Sequence, residues 1–144
     1  MIRHSLASAC LVGAVLGCAE APAAPVRSVH PAAEQYDAME LRPGDCIEPF
    51  PEDFAVTVVP CTVPHAAEFA TTYVVPDGPW PGMKELGRVT QSGCGPRMRY
   101  VPERKDEVKV AGLVPSEEDW PKRRTVYCLA VPAAGGKLVG RVIL

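Results

Sequence analysis

The sequence predicts a small α+β domain: a mostly antiparallel sheet carrying one principal helix and stapled by two disulfides. Three observations predict it. Short β-branched and apolar runs recur at 55–59, 68–75 and 125–131. Apolar residues at helical spacing mark 83–98 as the main helix. Four cysteines, Cys46, Cys61, Cys94 and Cys128, are spread through the same region, and none belongs to a Cys-x-x-Cys pair. The chain's 16 prolines favour short elements and many turns over long helices.

The N-terminus decides how those cysteines are read. Arg3 and His4 precede an apolar run from Leu6 to Leu16, and Val15, Leu16, Gly17 and Cys18 form a bacterial lipoprotein box. On this reading residues 1–17 are a lipoprotein signal peptide and Cys18 is the lipidated residue. Two acyl chains on one cysteine suffice for stable anchoring, whereas a single chain is marginal. The apolar run is shorter than the ~20 residues of a membrane helix, so the expected contact with the membrane is the anchor itself. Cys10 copies the box but has too little apolar chain before it, and it leaves with the signal. The competing reading is an ordinary signal cut after Ala21, Pro22 and Ala23. Residues 18–40, rich in Ala and Pro, are expected to be a flexible tether, and residues 41–144 the folded domain. Location on the extracytoplasmic face turns the cysteines from metal ligands into candidate disulfides.

Within the domain, the Pro43-Gly44 turn precedes a short extended segment at 45–47. A strand is expected at 55–59, ending at Pro60. The run at 68–75 alternates, with Phe69, Thr71, Tyr73 and Val75 expected on one face. Residues 77–82 form a stiff Pro-Gly turn that launches the helix, whose inward stripe is Met83, Leu86, Val89 or Thr90, Gly93, Cys94 and Met98. A further strand is expected at 108–113, and a helical turn capped by Ser116, with Asp119 in its third position, at 116–120. The run TVYCLAV at 125–131 is a strong strand, and 138–143 is expected to return beside it as a hairpin through Gly135-Gly136.

Four cysteines allow three pairings. Cys46 with Cys61 and Cys94 with Cys128 is favoured: the first pair flanks two consecutive extended segments, and the second staples the helix stripe to the strongest strand. The absence of close Cys pairs argues against a thioredoxin-like site or a zinc ribbon.

His65, in the run CTVPHAAE, is the single histidine of the domain. Ser92 lies in QSGCG rather than a Gly-x-Ser-x-Gly elbow, and an oxidised Cys61 is no nucleophile, so a catalytic constellation is missing. The structural reading has Pro64 fixing a turn and His65 hydrogen-bonding Glu68 or backbone. The rival is a small extracytoplasmic enzyme or metal-binding protein using His65 with Glu68 or Asp45. Trp80 and Trp120, each beside proline, suit core plugs or exposed ligand anchors, with core favoured in so small a domain.

The net charge of −2 hides an asymmetry. Acidic residues dominate from Glu40 to Gly87, and basic ones, including Lys122, Arg123 and Arg124, from Arg88 onward. Two halves that attract each other explain this, as does an anionic partner such as a lipid headgroup or cell-wall polymer. Nucleic acid is not an expected partner outside the cytoplasm.

The ordered set PGDC (43–46), VPC (59–61), PHAAEF (64–69), GPWPG (78–82), Cys94, Pro115, Trp120 and Cys128 resembles the septum-formation domain family of actinobacterial exported and membrane-anchored proteins. The resemblance runs from about Leu41 to the C-terminus. It implies an extracytoplasmic, disulfide-bonded, non-catalytic domain without a cofactor, connected with the cell envelope or division septum through an envelope protein or wall component. Where the family pattern has a Gly-Asp-Arg turn before the last cysteine, this chain has Lys122, Arg123 and Arg124.

Overall fold

The computed structural model describes residues 33–144. The expected signal peptide, Cys18 and the expected tether up to residue 32 lie outside the described residues. Seven main elements follow in order: β1 (Glu34–Asp37), β2 (Cys46–Ile47), β3 (Ala55–Val59), β4 (Ala67–Val74), α1 (Met83–Cys94), β5 (Val108–Leu113) and β6 (Thr125–Pro132). Among the described residues the six strands form one sheet in the order β1-β3-β2-β4-β6-β5, with every neighbouring pair antiparallel. The expected α+β class, with a principal helix and two disulfides, is what the chain forms.

Each face of the sheet buries its own cluster. β6 sorts its side chains by simple alternation: Val126, Cys128 and Ala130 meet Leu86 and Cys94 of α1, while Tyr127 and Leu129 join Ile47, Val56 and Phe69 on the opposite face. A strand flanked on both sides and covered on both faces has almost no exposed residue, and β6 is buried from Val126 to Ala130, Tyr127 retaining a small exposed edge.

β4 departs from the expected alternation. The register with β6 jumps between Phe69 and Thr71, leaving Ala70 as a bulge. Phe69 therefore packs with the far cluster while Tyr73 and Val75 pack on the α1 side. On its other side, Phe69 donates to the Asp45 carbonyl at 2.8 Å, and its own carbonyl accepts from Gly44 at 2.8 Å.

α1 is shorter than the stripe that announces it. It begins after Gly82, at φ +82°, and stops at Cys94; Met98 is buried from beyond a 3-10 turn at Gly95–Arg97, and Met83 is exposed. Leu86, Thr90, Gly93 and Cys94 make the buried face. Gly93 is a packing requirement, because a Cβ there would lie 2.4 Å from the Tyr73 ring.

Both favoured disulfides are present, Cys46 to Cys61 across 15 residues and Cys94 to Cys128 across 34. In the chain-entropy picture such loops are worth ~3 and ~4 kcal/mol.

Two expectations are corrected. The tether does not extend to residue 40: Glu34–Asp37 pairs with β3 as an edge strand, and a 3-10 turn at Ala38–Glu40 buries Ala38. Asp37 caps that turn in a capping box with Glu40. The folded part thus begins about seven residues before Leu41. The second correction concerns 138–143, which does not return along β6. Leu138 bridges His65 and Ile143 bridges Tyr100, so the segment crosses the α1-side cluster.

The predicted Ser116 cap forms, with the Ser116 Oγ accepting from the Asp119 N–H at 3.3 Å, though the segment is a turn rather than a helix. No described helix is long and apolar enough to cross a membrane.

Candidate functional site

His65 and Glu68 lie at the start of β4, and both are completely buried. Pro64 and the 3.0 Å bond from the Val63 N–H to the Pro60 carbonyl fold the chain into a turn that delivers His65 to the sheet. The His65 backbone then exchanges both hydrogen bonds with Leu138, at 2.9 and 2.8 Å. The imidazole Nδ1 sits 2.8 Å from the Val63 carbonyl, which only accepts, so Nδ1 carries the hydrogen. Nε2 is buried without a hydrogen-bond partner among the described residues.

The Glu68 carboxylate accepts two backbone hydrogen bonds from the C-terminal segment, from Val142 at 2.6 Å and Ile143 at 3.1 Å. Arg104 holds the same segment from outside, donating to the Val139 and Arg141 carbonyls at 2.9 and 3.0 Å. Burial pushes the Glu68 carboxyl above its ordinary range; the two N–H donors and, more weakly, the Arg141 guanidinium pull the other way and only partly offset it. His65 through its backbone and Glu68 through its carboxylate thus clamp the C-terminal segment, as the favoured structural reading allows. His65 takes the backbone option of the structural reading, through Val63 rather than Glu68.

A ring nitrogen of His65, a carboxylate oxygen of Glu68 and the Cys46 sulfur all lie within 4.8 Å of one another. Asp45, the other expected companion, is turned away: its carboxylate accepts from the Arg42 N–H at 2.7 Å. Sequence reasoning named His65 and Glu68 but treated Cys46 only as a staple. Cys46 directly faces Glu68 in the β2–β4 register, a pairing of separate segments that leaves no local mark in the sequence.

Trp80 and Trp120 come together edge to face, with ring centroids 5.7 Å apart. Both are half-buried against the α1-side cluster, and the Trp120 indole N–H donates to the Gly78 carbonyl at 2.8 Å. They seal the loops at one end of the core and are neither deep plugs nor free anchors.

A second arrangement is open to solvent. Met39, Phe54, Lys122, Arg123, Thr125 and Tyr127 line a depression of about 210 Å³. Phe54 and Tyr127 pack edge to face at 5.8 Å, and the Arg123 guanidinium stands 5.3 Å from the Phe54 ring centroid. Met39 is 70% exposed. Arg124, the third residue of the basic run, donates instead to the Val75 carbonyl at 2.9 Å, so Lys122 and Arg123 supply the charge. Burial and the nearby Asp37 carboxylate raise the Tyr127 phenol above its usual range, with Arg123 opposing. Sequence reasoning flagged the basic run but missed its aromatic floor, because Phe54, just before β3, and Tyr127, on β6, are far apart in the chain and meet only on one face of the folded sheet.

No protein-family model, no curated protein and no solved structure matches this chain.

Proposed function

We propose that this chain is a lipid-anchored, extracytoplasmic binding module that performs no catalysis and acts in the cell envelope, in the manner implied by its resemblance to septum-formation domains. One contrast carries the reading: the residues able to do acid–base chemistry, His65 and Glu68, are sealed at zero exposure, whereas the basic, aromatic depression around Arg123 is open. A turnover site needs a path for its reactant. An interaction surface needs accessible aromatic and arginine side chains, the types that dominate binding energies at interfaces. The positive charge of Lys122 and Arg123 suits an anionic envelope protein or wall polymer.

The lipoprotein box at Cys18 supplies the position at the membrane, and the segment before Glu34 supplies reach. The test is photo-crosslinking in living cells from a probe at position 39, in anchored protein and in a Cys18→Ser form. Discrete adducts that vanish with Arg123→Glu and weaken without the anchor are expected. Adducts indifferent to both changes would sink the proposal.

A further inference from the structure

The buried cluster beside the first staple holds more than a clamp needs. Cys46, His65 and Glu68 bring a sulfur, an imidazole and a carboxylate within 4.8 Å, all at zero exposure. His65 is arranged as metal-bound histidines are: Nδ1 donates to a backbone carbonyl, which fixes the ring and leaves Nε2 to offer a lone pair. That Nε2 is buried and unpartnered, a costly state for a polar atom that serves the fold alone. The Glu68 oxygens each accept one backbone N–H and retain a second lone pair.

With the disulfide intact the sulfur of Cys46 is committed to Cys61. We propose that the Cys46–Cys61 bond is a redox gate, and that its reduction opens a closed zinc-type site composed of Cys46, Cys61, His65 and Glu68. Two thiolates, one imidazole and one carboxylate are a donor set suited to four-coordinate Zn²⁺. Ligand atoms in such a tetrahedron stand roughly 3.3 to 3.8 Å apart, so the imidazole, carboxylate and Cys46 sulfur close in by up to about 1 Å while the two sulfurs, no longer bonded, separate to that spacing. This proposal is independent of the binding surface around Arg123.

Exposure separates the two disulfides. Cys61 is partly accessible, whereas Cys94 and Cys128 are both completely buried. A dithiol reductant attacks the accessible Cys61 sulfur through its thiolate, the S–S bond breaks, and Cys46 leaves as a thiolate. The second thiol of the reductant then attacks its own sulfur in the mixed disulfide and releases Cys61. The reductant ends as a disulfide, and its two electrons and two protons reside on Cys46 and Cys61. Zn²⁺ displaces those protons on binding.

The experiment uses the full chain with both disulfides formed, limited treatment with a dithiol, and Zn²⁺ or Co²⁺ as probe. Alkylation and mass analysis are expected to find two new thiols, on Cys46 and Cys61, with Cys94–Cys128 intact. The reduced protein should bind one metal ion per chain, show thiolate-to-cobalt charge transfer, and resist alkylation once loaded; the oxidised protein should bind at least about a hundredfold more weakly. His65→Gln should lower the affinity of the reduced form by a similar factor, with Cys61→Ser as a second variant that frees Cys46 without a reductant and binds with intermediate affinity. If reduction loosens the sheet, recovery of its circular dichroism on adding zinc supports the site. A reduced protein that takes no metal, one that binds equally well with His65→Gln, or one that stays unfolded with zinc overturns it.

Discussion

Glu68 carries an unusual load for one side chain: it is a fully buried carboxylate, and it satisfies two backbone donors from a segment 74 and 75 residues away. Glu68→Gln replaces one acceptor oxygen by a donor and leaves a buried N–H facing it, so we expect a loss of about 1–3 kcal/mol in urea unfolding. The pH dependence has a definite sign. Burial raises the carboxyl in the folded chain above its unfolded value, so its contribution to stability is complete below the ordinary carboxylate range and is lost as pH climbs through the raised value. Wild-type stability should fall across that window, and Glu68→Gln should flatten the fall; a rise there would mean that the two N–H bonds outweigh burial. Gly93 poses a contest of the same kind. Alanine gains about 1 kcal/mol of helix propensity, but its Cβ would sit 2.4 Å from a Tyr73 ring that also carries Arg97 at 4.9 Å. Overpacking costs about 1–3 kcal/mol, so the clash wins and Gly93→Ala should lower the melting temperature. At this scale the sequence was informative about residue types: His65 stood out, with Glu68 or Asp45 as its candidate companion. Their role was hidden, because the Val142 and Ile143 donors are set by topology and leave no local mark.

Elements with strong internal patterns were legible, and those that exist only through pairing were not. TVYCLAV alternates between two buried faces and is β6, and the spacing of Leu86, Thr90 and Cys94 is α1. β1 lies in an Ala- and Pro-rich neighbourhood with exposed polar side chains, and it is held by its register with β3 and by the burial of Ala38. A chain shortened to start at Leu41 should therefore lose about 2–4 kcal/mol and expose the β3 edge; self-association of that shortened chain, absent from the longer one, is the measurement to make. The Gly135-Gly136 turn is equally instructive. Both glycines adopt positive φ as a hairpin turn would, yet the chain leaves the sheet edge because β5 already occupies the far side of β6.

At the scale of the whole molecule, the disulfides divide the labour. Cys46–Cys61 ties β2 to the turn after β3, and Cys94–Cys128 ties the end of α1 to the interior strand β6. Replacing Cys94 and Cys128 by alanine should cost about 4 kcal/mol, more than losing the shorter loop, and chemical denaturation of the two double variants should rank them in that order. The pairing could be argued from sequence because Cys46 and Cys61 flank two consecutive extended segments while Cys94 and Cys128 sit on the helix stripe and the strongest strand, a placement that needs no coordinates.

The clamp also sets an order of events in time. His65 and Glu68 enter the sheet early along the chain, yet their partners arrive with Leu138, Val142 and Ile143. Until that loop closes, a carboxylate and two backbone donors have no place in a dry interior, and closing it is an entropic step that local structure cannot shorten. The β4 end of the sheet is thus built to wait for the chain's last segment, and a protein stalled short of residue 138 should remain a substrate for proteases however long it is given to fold.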